Sequence, residues 1–441
     1  MRIHKHVSRR EGHRRVCVDG DDFLRYKKDA PGNERSSFGT RMPLQSPRIN
    51  RRLFCGGLTA ALAQGAVASS LFTASKTAPG YTLVASVDRK RILSAAARYL
   101  PLAPQTITAF PSGRNPGGVH DYFSEGDYFW PNPANPDGPY IELDGKSNPD
   151  NFQGHRKVLI ALSIQMPALT AAWRLTGKRV YAEHAAAHLR AWFIDTSTRM
   201  NPNLEFSQGV RNRTTGRSYG IIDTLQLVEV ARAASLIEGT FLAAQEREAL
   251  HAWFREYLRW MQTSSKGTTE AAATNNHAIC WALQVAEFAR LVQDEAAREA
   301  MRVRYKTVLV GQIAADGGFP RELQRTKPYS YSIFNLDVMA TLCETLRAPE
   351  KDLFRFTTDD GRGICKAAAF LFPYLEDKQR WPYAKDVEHF EALPVRAPSL
   401  LFCGLACERP EFLTLWKRLN PDPTDPEIIR NYPIRQPLLW L

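Results

Sequence analysis

Residues 156–193 read RKVLIALSIQMPALTAAWRLTGKRVYAEHAAAHLRAWF, and this stretch decides the fold class. Apolar residues recur every three or four positions on both sides of Thr176-Gly177-Lys178, which is the spacing of one buried face of an amphipathic helix. Glycine is favoured just beyond the last turn of a helix. The stretch therefore predicts two helices joined by a short turn.

The same periodicity continues through most of the chain beyond residue 84, whereas the alternation typical of strands is scarce. It covers further segments at 219–238, 244–262, 277–292, 295–313, 330–346 and 363–373. Repeated hairpins over about 300 residues are typical of an α/α toroid, in which each hairpin supplies an inner and an outer helix around a central cavity. We therefore expect an all-α fold, an incomplete toroid of helical hairpins formed by a single domain over residues 80–441.

Two stretches break the periodicity and are long enough to be loops over the cavity mouth. Residues 111–154 are rich in Pro, Gly, Asn and aromatic residues, with Asp121-Tyr-Phe-Ser-Glu-Gly-Asp-Tyr-Phe-Trp-Pro at their centre. Aromatic rings interleaved with polar groups are typical of carbohydrate-binding loops, although a proline-stiffened cover has the same composition. Residues 195–218 hold three arginines within seven positions, which either bind carboxylates or face solvent.

The positive charge of the chain is concentrated near its start. Residues 1–79 hold 15 of the 58 Lys+Arg and 6 of the 46 Asp+Glu, so that residues 80–441 hold 43 basic and 40 acidic residues. A body so close to neutral argues against binding nucleic acid by bulk charge.

We interpret the first 79 residues as an export signal that follows an over-long N-terminus, and not as part of the fold. A polar, basic stretch from Met42 precedes Arg51-Arg52, and an apolar run rich in Gly and Ala follows to Phe72. This order is similar to a twin-arginine signal with a small residue near the cleavage site, and it lacks the apolar length of a stable membrane span. We expect a periplasmic or secreted protein; an incidental arginine pair in a cytosolic helix is the alternative.

Neither cysteine nor histidine spacing indicates a metal site. Five cysteines follow residue 79, an odd number without CxxC spacing, which leaves one disulfide open: Cys280, Cys343, Cys365, Cys403 and Cys407. His184 and His188 lie four positions apart on one predicted helix, but no third ligand accompanies them. We expect no metal and no cofactor.

The residues best suited to catalysis lie in two segments about fifty positions apart. Asn275, Asn276 and His277 precede a helical pattern, where asparagine caps free N–H groups and an imidazole adds a base that titrates near neutrality. In the second segment a basic loop with Arg325 leads to Tyr331 at the start of the next helix. Taken singly, these residues are equally consistent with a helix cap, a surface charge and a packed ring.

Together the segments resemble the alginate lyase superfamily of α/α-toroid polysaccharide lyases. The similarity runs from about Asp121 to about Tyr383. It rests on Asp121-Tyr-Phe-Ser-Glu-Gly-Asp-Tyr, Trp130-Pro-Asn-Pro, Met200-Asn-Pro-Asn-Leu, Gly220-Ile-Ile-Asp-Thr-Leu, Asn275-Asn-His and Tyr331-Ser-Ile-Phe-Asn-Leu. Within the superfamily the chain is most similar to the branch of alginate and glucuronan lyases, lyase family thirty-eight, and more distantly to family five.

The resemblance implies a lyase that removes the C5 proton of a 4-linked uronate and expels the C4 oxygen. Asn276 and Arg325 match the positions that neutralise the uronate carboxylate, which then takes up charge in an enolate-like intermediate. Tyr331 matches the general acid that protonates the C4 oxygen. Where C5–H and C4–O lie on the same face of the sugar ring, Tyr331 is also the base that removes the C5 proton; where they lie on opposite faces, His277 is that base. Tyrosine becomes a usable base only if cations such as Arg325 favour its phenolate.

The expected partner is an acidic polysaccharide, either alginate, above all polymannuronate, or glucuronan. We expect substrate contacts from Tyr128, Trp130, Asn275, Arg217 and Tyr329. One alternative is a glycoside hydrolase on the same architecture, with candidate carboxylates at Asp121, Glu125, Asp127 and Asp223. The other is an exported protein that binds uronate polymers without cleaving them. The oligomeric state has no marker in the sequence.

Overall fold

The computed structural model describes residues 78–441, so all but the last two positions of the predicted signal lie outside the described residues. Helices dominate this part of the chain. They are α1 (Pro79–Tyr99), α2 (Gly154–Thr176), α3 (Arg179–Leu189), α4 (Leu227–Phe241), α5 (Ala244–Thr263), α6 (Ser265–Ala271), α7 (Asn276–Leu291), α8 (Glu295–Thr307), α9 (Pro320–Leu323), α10 (Pro328–Thr345), α11 (Ile364–Glu376), α12 (Pro398–Ala406), α13 (Pro410–Arg418) and α14 (Pro426–Arg430).

The helices form a ring of hairpins, as the sequence predicts. The inner helices α2, α4, α7, α10 and α12 each pack against the next, while α1, α3, α5, α8, α11 and α13 lie behind them. In α2 the apolar face is fully buried at Leu159, Leu162, Met166 and Leu169. Gly177 ends this helix in the left-handed region, with φ 71°, and its N–H donates to the carbonyl of Trp173. The fold is the expected α/α toroid.

Two predicted helices are partly 3₁₀ in the structure. The segment 219–238 begins with a 3₁₀ helix at Ser218–Gln226. Within it Gly220 packs closely against Ser207 of the loop at 195–218, and a Cβ at this position would lie 1.9 Å from Ser207 Oγ. The segment 295–313 leaves the α conformation after Thr307 and ends as a 3₁₀ turn at Leu309–Gln312. Gly311 within that turn has low helix propensity.

Four short strands join the two long loops. They are β1 (Phe123–Glu125), β2 (Phe129–Trp130), β3 (Ile141–Glu142) and β4 (Phe206–Gly209). β1 pairs in parallel with β4, so that residues 111–154 and 195–218 cover the same end of the ring, and β2 pairs antiparallel with β3.

A buried ion pair ties the ends of the ring together, and a disulfide links two neighbouring helical segments. Asp88 in α1 and Arg396 just before α12 form a buried ion pair of 2.6 Å. A disulfide joins Cys365 in α11 to Cys407, which follows α12, while Cys403 is a free buried thiol. The bridge left open by the sequence is therefore between Cys365 and Cys407.

One described helix, α2, is long and apolar enough to cross a membrane by length and composition. Of its most apolar stretch, 67% is buried inside the protein, as is usual for the core helix of a toroid.

Candidate active site

A cavity of about 420 Å³ lies beneath the two loops, at the amino-terminal ends of α2, α7 and α10. Its wall brings together segments that are far apart in the sequence. It includes all four predicted catalytic residues and three of the predicted substrate contacts: Asn276, His277, Arg325, Tyr331, Tyr128, Asn275 and Arg217.

Two inner helices direct their amino ends at this cavity. Asn275 caps α7, its side chain accepting the N–H of His277 at 3.4 Å. At the start of α10, the Asp386 carboxylate accepts the N–H groups of Tyr329 and Ser330 at 2.8 and 2.9 Å. Helix amino ends carry partial positive charge, and here the protein's own side chains already accept these N–H groups.

His277 is held by a buried carboxylate. Its Nδ1 lies 2.5 Å from Oε1 of Glu270, a residue that is only 1% exposed. The carboxylate accepts a hydrogen bond from Nδ1–H, and in that tautomer of the neutral imidazole the lone pair lies on Nε2. No described residue forms a hydrogen bond with Nε2. The ring of Tyr219 packs against the imidazole, with 4.9 Å between the two ring centroids. The arrangement suits a base.

Asn276 is fixed by a second buried acid. Its main-chain N–H and its Nδ2 donate to the two carboxyl oxygens of Glu322, both at 2.8 Å. Burial raises the pKa of Glu322. Because an amide carries two N–H groups, Asn276 retains one donor for a ligand.

Arg325 connects the first loop with α10. Its Nε and Nη2 donate to Asp144 at 3.3 and 2.7 Å, and Nη2 also donates to the hydroxyl of Tyr331 at 3.1 Å. Although burial works against its charge, the hydrogen bond to Asp144 raises the pKa of Arg325. Within residues 78–441 no acceptor contacts Nη1, so this edge of the guanidinium is available to a ligand.

Tyr331 lies between two hydrogen-bonding partners. Its hydroxyl is 3.0 Å from that of Tyr128 and accepts the bond from Arg325. Burial raises the pKa of Tyr331 well above 10, Tyr128 adds to this, and the opposing effect of Arg325 does not offset them. In the free protein Tyr331 therefore keeps its proton, which suits a general acid.

The far wall of the cavity is a network of buried and partly exposed charges. Arg156 binds Asp127 at 2.5 Å and Asp223 at 3.2 Å, and Arg430 binds the other oxygen of Asp127 at 2.5 Å. In spite of its burial, the pKa of Asp127 is lowered by Arg156 and Arg430. A glycosidase acid requires the opposite change.

The other two carboxylates proposed for a hydrolase also have structural partners. Glu125 forms ion pairs with Arg114 and Arg211, each at 2.9 Å. Asp121 accepts hydrogen bonds from Asn201 at 2.7 Å and from a loop N–H at 2.7 Å. Among the described residues, no group of three His, Cys, Asp or Glu side chains is placed to hold a metal ion.

Comparison with known families agrees with this geometry. The alginate lyase family profile matches residues 106–381, more than half of the chain. The chain belongs to the alginate lyase family. This protein is therefore a polysaccharide lyase.

Solved structures show the same architecture for this lyase. An alginate lyase from Bacteroides ovatus is 27% identical, with a TM-score of 0.71 over 83% of this chain and 98% of that chain. A variant of alginate lyase A1-III from Sphingomonas species A1, complexed with a tetrasaccharide, is 16% identical, with a TM-score of 0.51 over 79% and 94%. The second likeness shows the fold alone. A comparison with curated protein sequences gives no match.

Two predicted substrate contacts of this lyase lie outside the cavity wall, and the burial of Tyr329 contradicts its assignment. Tyr329 is 0% exposed, and its hydroxyl donates to the carbonyl of Tyr374 at 2.8 Å. It lies two positions before Tyr331, so the two side chains point to nearly opposite sides of α10. Trp130 does not line the cavity, and its indole N–H donates to the carbonyl of Lys146 at 2.9 Å. Neighbouring residues of a strand face opposite sides, and here Phe129 faces the cavity.

Sequence reasoning missed several partners of the lyase site. Glu270 and Glu322 hold His277 and Asn276, while Asp144 holds Arg325 from 181 positions away. No periodicity or motif links these acids to the residues they hold. Tyr219, 46% exposed on the cavity wall, lies within the predicted helix 219–238 and carried no separate signal.

Proposed function

We propose that this lyase cleaves 4-linked uronic-acid polymers, alginate or glucuronan, by β-elimination. The observation that carries the proposal is the convergence of an amide, an imidazole, a guanidinium and a phenol on one cavity: Asn276, His277, Arg325 and Tyr331. A uronate supplies the carboxylate, the acidic C–H and the leaving oxygen that these groups match.

The uronate carboxylate binds between the spare amide N–H of Asn276 and Nη1 of Arg325. These donors offset its charge as the C5–H bond breaks, so that the electron pair moves into the carboxylate and then forms the C4=C5 double bond. The C4–O bond breaks at the same site, and Tyr331 gives its proton to the leaving oxygen. The resulting phenolate is stabilised by donors from Arg325 and Tyr128, both about 3 Å from the hydroxyl oxygen.

The base depends on the stereochemistry of the sugar. In guluronate, C5–H and C4–O lie on opposite faces, and Nε2 of His277 takes the C5 proton while Tyr331 acts as acid. In mannuronate and glucuronate they share a face, and Tyr331 serves both steps: its phenol first loses its proton to solvent, the phenolate is stabilised by Arg325, takes the C5 proton and then gives it to the C4 oxygen. The resemblance predicts mannuronate or glucuronate, whereas the protonated Tyr331 of the free protein suits the guluronate route.

Product analysis tests the reaction. Polymannuronate, polyguluronate and glucuronan are digested separately in oxygen-18 water, and ultraviolet absorbance and fragment masses are recorded. β-Elimination yields an absorbing unsaturated end, and the fragment that carries it is lighter by one water than the corresponding hydrolysis product. Products that all contain the added water and do not absorb indicate hydrolysis, and binding without fragments indicates a non-catalytic protein; either outcome refutes the proposal.

A variant separates the two routes. His277→Ala is expected to abolish cleavage of polyguluronate and to reduce cleavage of polymannuronate much less. An equal loss on all three polymers would assign His277 to a step that both routes share. A matched change at His251, which pairs with Glu238 outside the active-site cavity, serves as the control.

We also propose export to the periplasm or the medium through the twin-arginine-like signal. The disulfide between Cys365 and Cys407 supports this, because such bonds persist in oxidising compartments. Replacing Arg51 and Arg52 with lysine should retain the protein in the cytoplasmic fraction. Unchanged export of that variant would refute the assignment.

A further inference from the structure

The C-terminal segment, residues 425–436, reaches into the active-site cavity. Its helix α14 ends at Arg430, and both Arg430 and Asn431 line the cavity wall. These positions lie well beyond residue 381, where the family match ends. The segment thus adds groups to a site whose other residues belong to the matched region.

Arg430 is linked to the reacting phenol through two intermediate residues, Asp127 and Tyr128. Its Nη1 lies 2.5 Å from Oδ2 of Asp127, an ion pair whose side chains are 21% and 12% exposed. Asp127 directly precedes Tyr128, whose hydroxyl lies 3.0 Å from that of Tyr331. Arg156 holds the opposite oxygen of Asp127 at 2.5 Å. The backbone that carries Tyr128 is therefore clamped from both sides.

The segment itself is firmly attached to an inner helix. Glu229 in α4 is buried and accepts the main-chain N–H groups of Arg435 and Gln436, both at 2.8 Å. Nearby, the amide of Gln226 donates to the carbonyl of Arg430 at 2.5 Å. Arg430 thus connects the loop that covers the cavity, through Asp127, to a segment that is fixed to the helical ring.

Arg430 is poorly suited to binding the substrate carboxylate. Its Nη1 pairs with Asp127, and its Nη2 donates to Glu427 at 2.8 Å. Two carboxylates already offset its single charge. Its contacts fit a role in holding the loop.

We propose that Arg430 is a positioning residue for the proton transfer. Acting through Asp127, it places the hydroxyl of Tyr128 so that it donates to the oxygen of Tyr331 as that oxygen becomes negative. The inference rests on the proposed function, since it requires Tyr331 to protonate the leaving group. A hydrogen bond to a charged group is worth about 1.5–3 kcal/mol, so its loss slows the reaction by roughly 10- to 100-fold.

The test is a double-mutant cycle with Arg430→Met and Tyr128→Phe, in which kcat and KM are measured by absorbance on the polymer that the wild type cleaves best. Each single variant should lose kcat by roughly 10- to 100-fold with little change in KM, and the double variant should be no slower than the slower single one. Arg430→Lys should recover part of the loss. Arg409→Met, which removes an exposed ion pair with Glu411 in the same part of the chain, should retain wild-type kcat.

An unchanged kcat in Arg430→Met would overturn the inference, and if KM rises while kcat stays constant, Arg430 is a substrate contact instead. Multiplicative losses in the double variant, or no recovery in Arg430→Lys, would also overturn it. Should Arg430→Met fail to fold, Asp127→Asn weakens the same link with a side chain of the same shape and enters the same cycle. A wild type that forms no unsaturated product refutes the proposed function instead, so the two failures are distinguishable.

Discussion

Replacing Glu270 with glutamine removes the negative charge beside His277 while keeping the shape of the side chain. The imidazole gains a positive charge when it takes the C5 proton, and the Glu270 oxygen lies 2.5 Å from its Nδ1 in a site that is 1% exposed. Two unit charges about 4 Å apart attract by roughly 4 kcal/mol at the effective dielectric constant of protein sites. Since the charge is only partly formed in the transition state, about half to three quarters of this energy is at stake. Glu270→Gln should therefore lower kcat by roughly 30- to 200-fold where His277 is the base.

The assay is the initial rate of ultraviolet absorbance on polyguluronate, with polymannuronate as the comparison and thermal melting as the check on folding. The loss should be large on polyguluronate and small on polymannuronate, because only the first route charges the imidazole. Glu299→Gln, which changes an exposed carboxylate paired with Arg302 and Lys351, should leave both rates unchanged. A folded Glu270→Gln protein that cleaves both polymers at nearly the wild-type rate would refute the reasoning.

Three further predictions concern charge and cross-linking. Burial raises the pKa of Asp337 to about 7. The folded protein therefore binds this proton more tightly than the unfolded chain does, and the unfolding free energy falls as pH rises from about 4 to about 7. Asp337→Asn should remove roughly 4 kcal/mol of that fall, measured by urea titrations at pH values near 4 and near 7. An unchanged pH dependence in the variant would contradict this prediction. Breaking the disulfide in Cys365→Ser should cost about 2–4 kcal/mol in the same titrations, and a wild type that reductant does not destabilise would argue against the bond. Arg325→Lys should lower kcat at least about 100-fold, because a point charge does not hold Asp144, the phenol and a carboxylate at once; near-normal kcat would exclude the planar contact.

The parts of the fold that the sequence predicts are those set by local chemistry. The turn at Gly177 follows from the backbone freedom of glycine, and the start of α7 follows from the capping amide of Asn275. The 3₁₀ start at Ser218–Gln226 depends on the contact of Gly220 with Ser207, which no pattern within that segment shows. Helix positions were accessible from periodicity, whereas the tighter turns depend on neighbours elsewhere in the chain.

The candidate site was predictable to the extent that it lies on recognisable segments. Asn276, His277, Arg325 and Tyr331 share one cavity, as the resemblance implies. Tyr329 lies only two positions from Tyr331 in the sequence, but helix geometry puts the two side chains on different sides of α10. The acids that hold the catalytic side chains, Glu270, Glu322 and Asp144, act through tertiary contacts. The spacing of residues along a single sequence does not indicate such contacts.

A crystal structure of Tyr331→Phe bound to a uronate tetrasaccharide tests the central claim most directly. The variant lacks only the hydroxyl that gives the proton, so the substrate should bind without being cleaved. The account predicts one carboxylate within hydrogen-bond distance of Asn276 and Arg325, with the scissile C4 oxygen facing residue 331. A carboxylate held elsewhere, such as at Arg217, with the scissile bond far from residue 331, would contradict it.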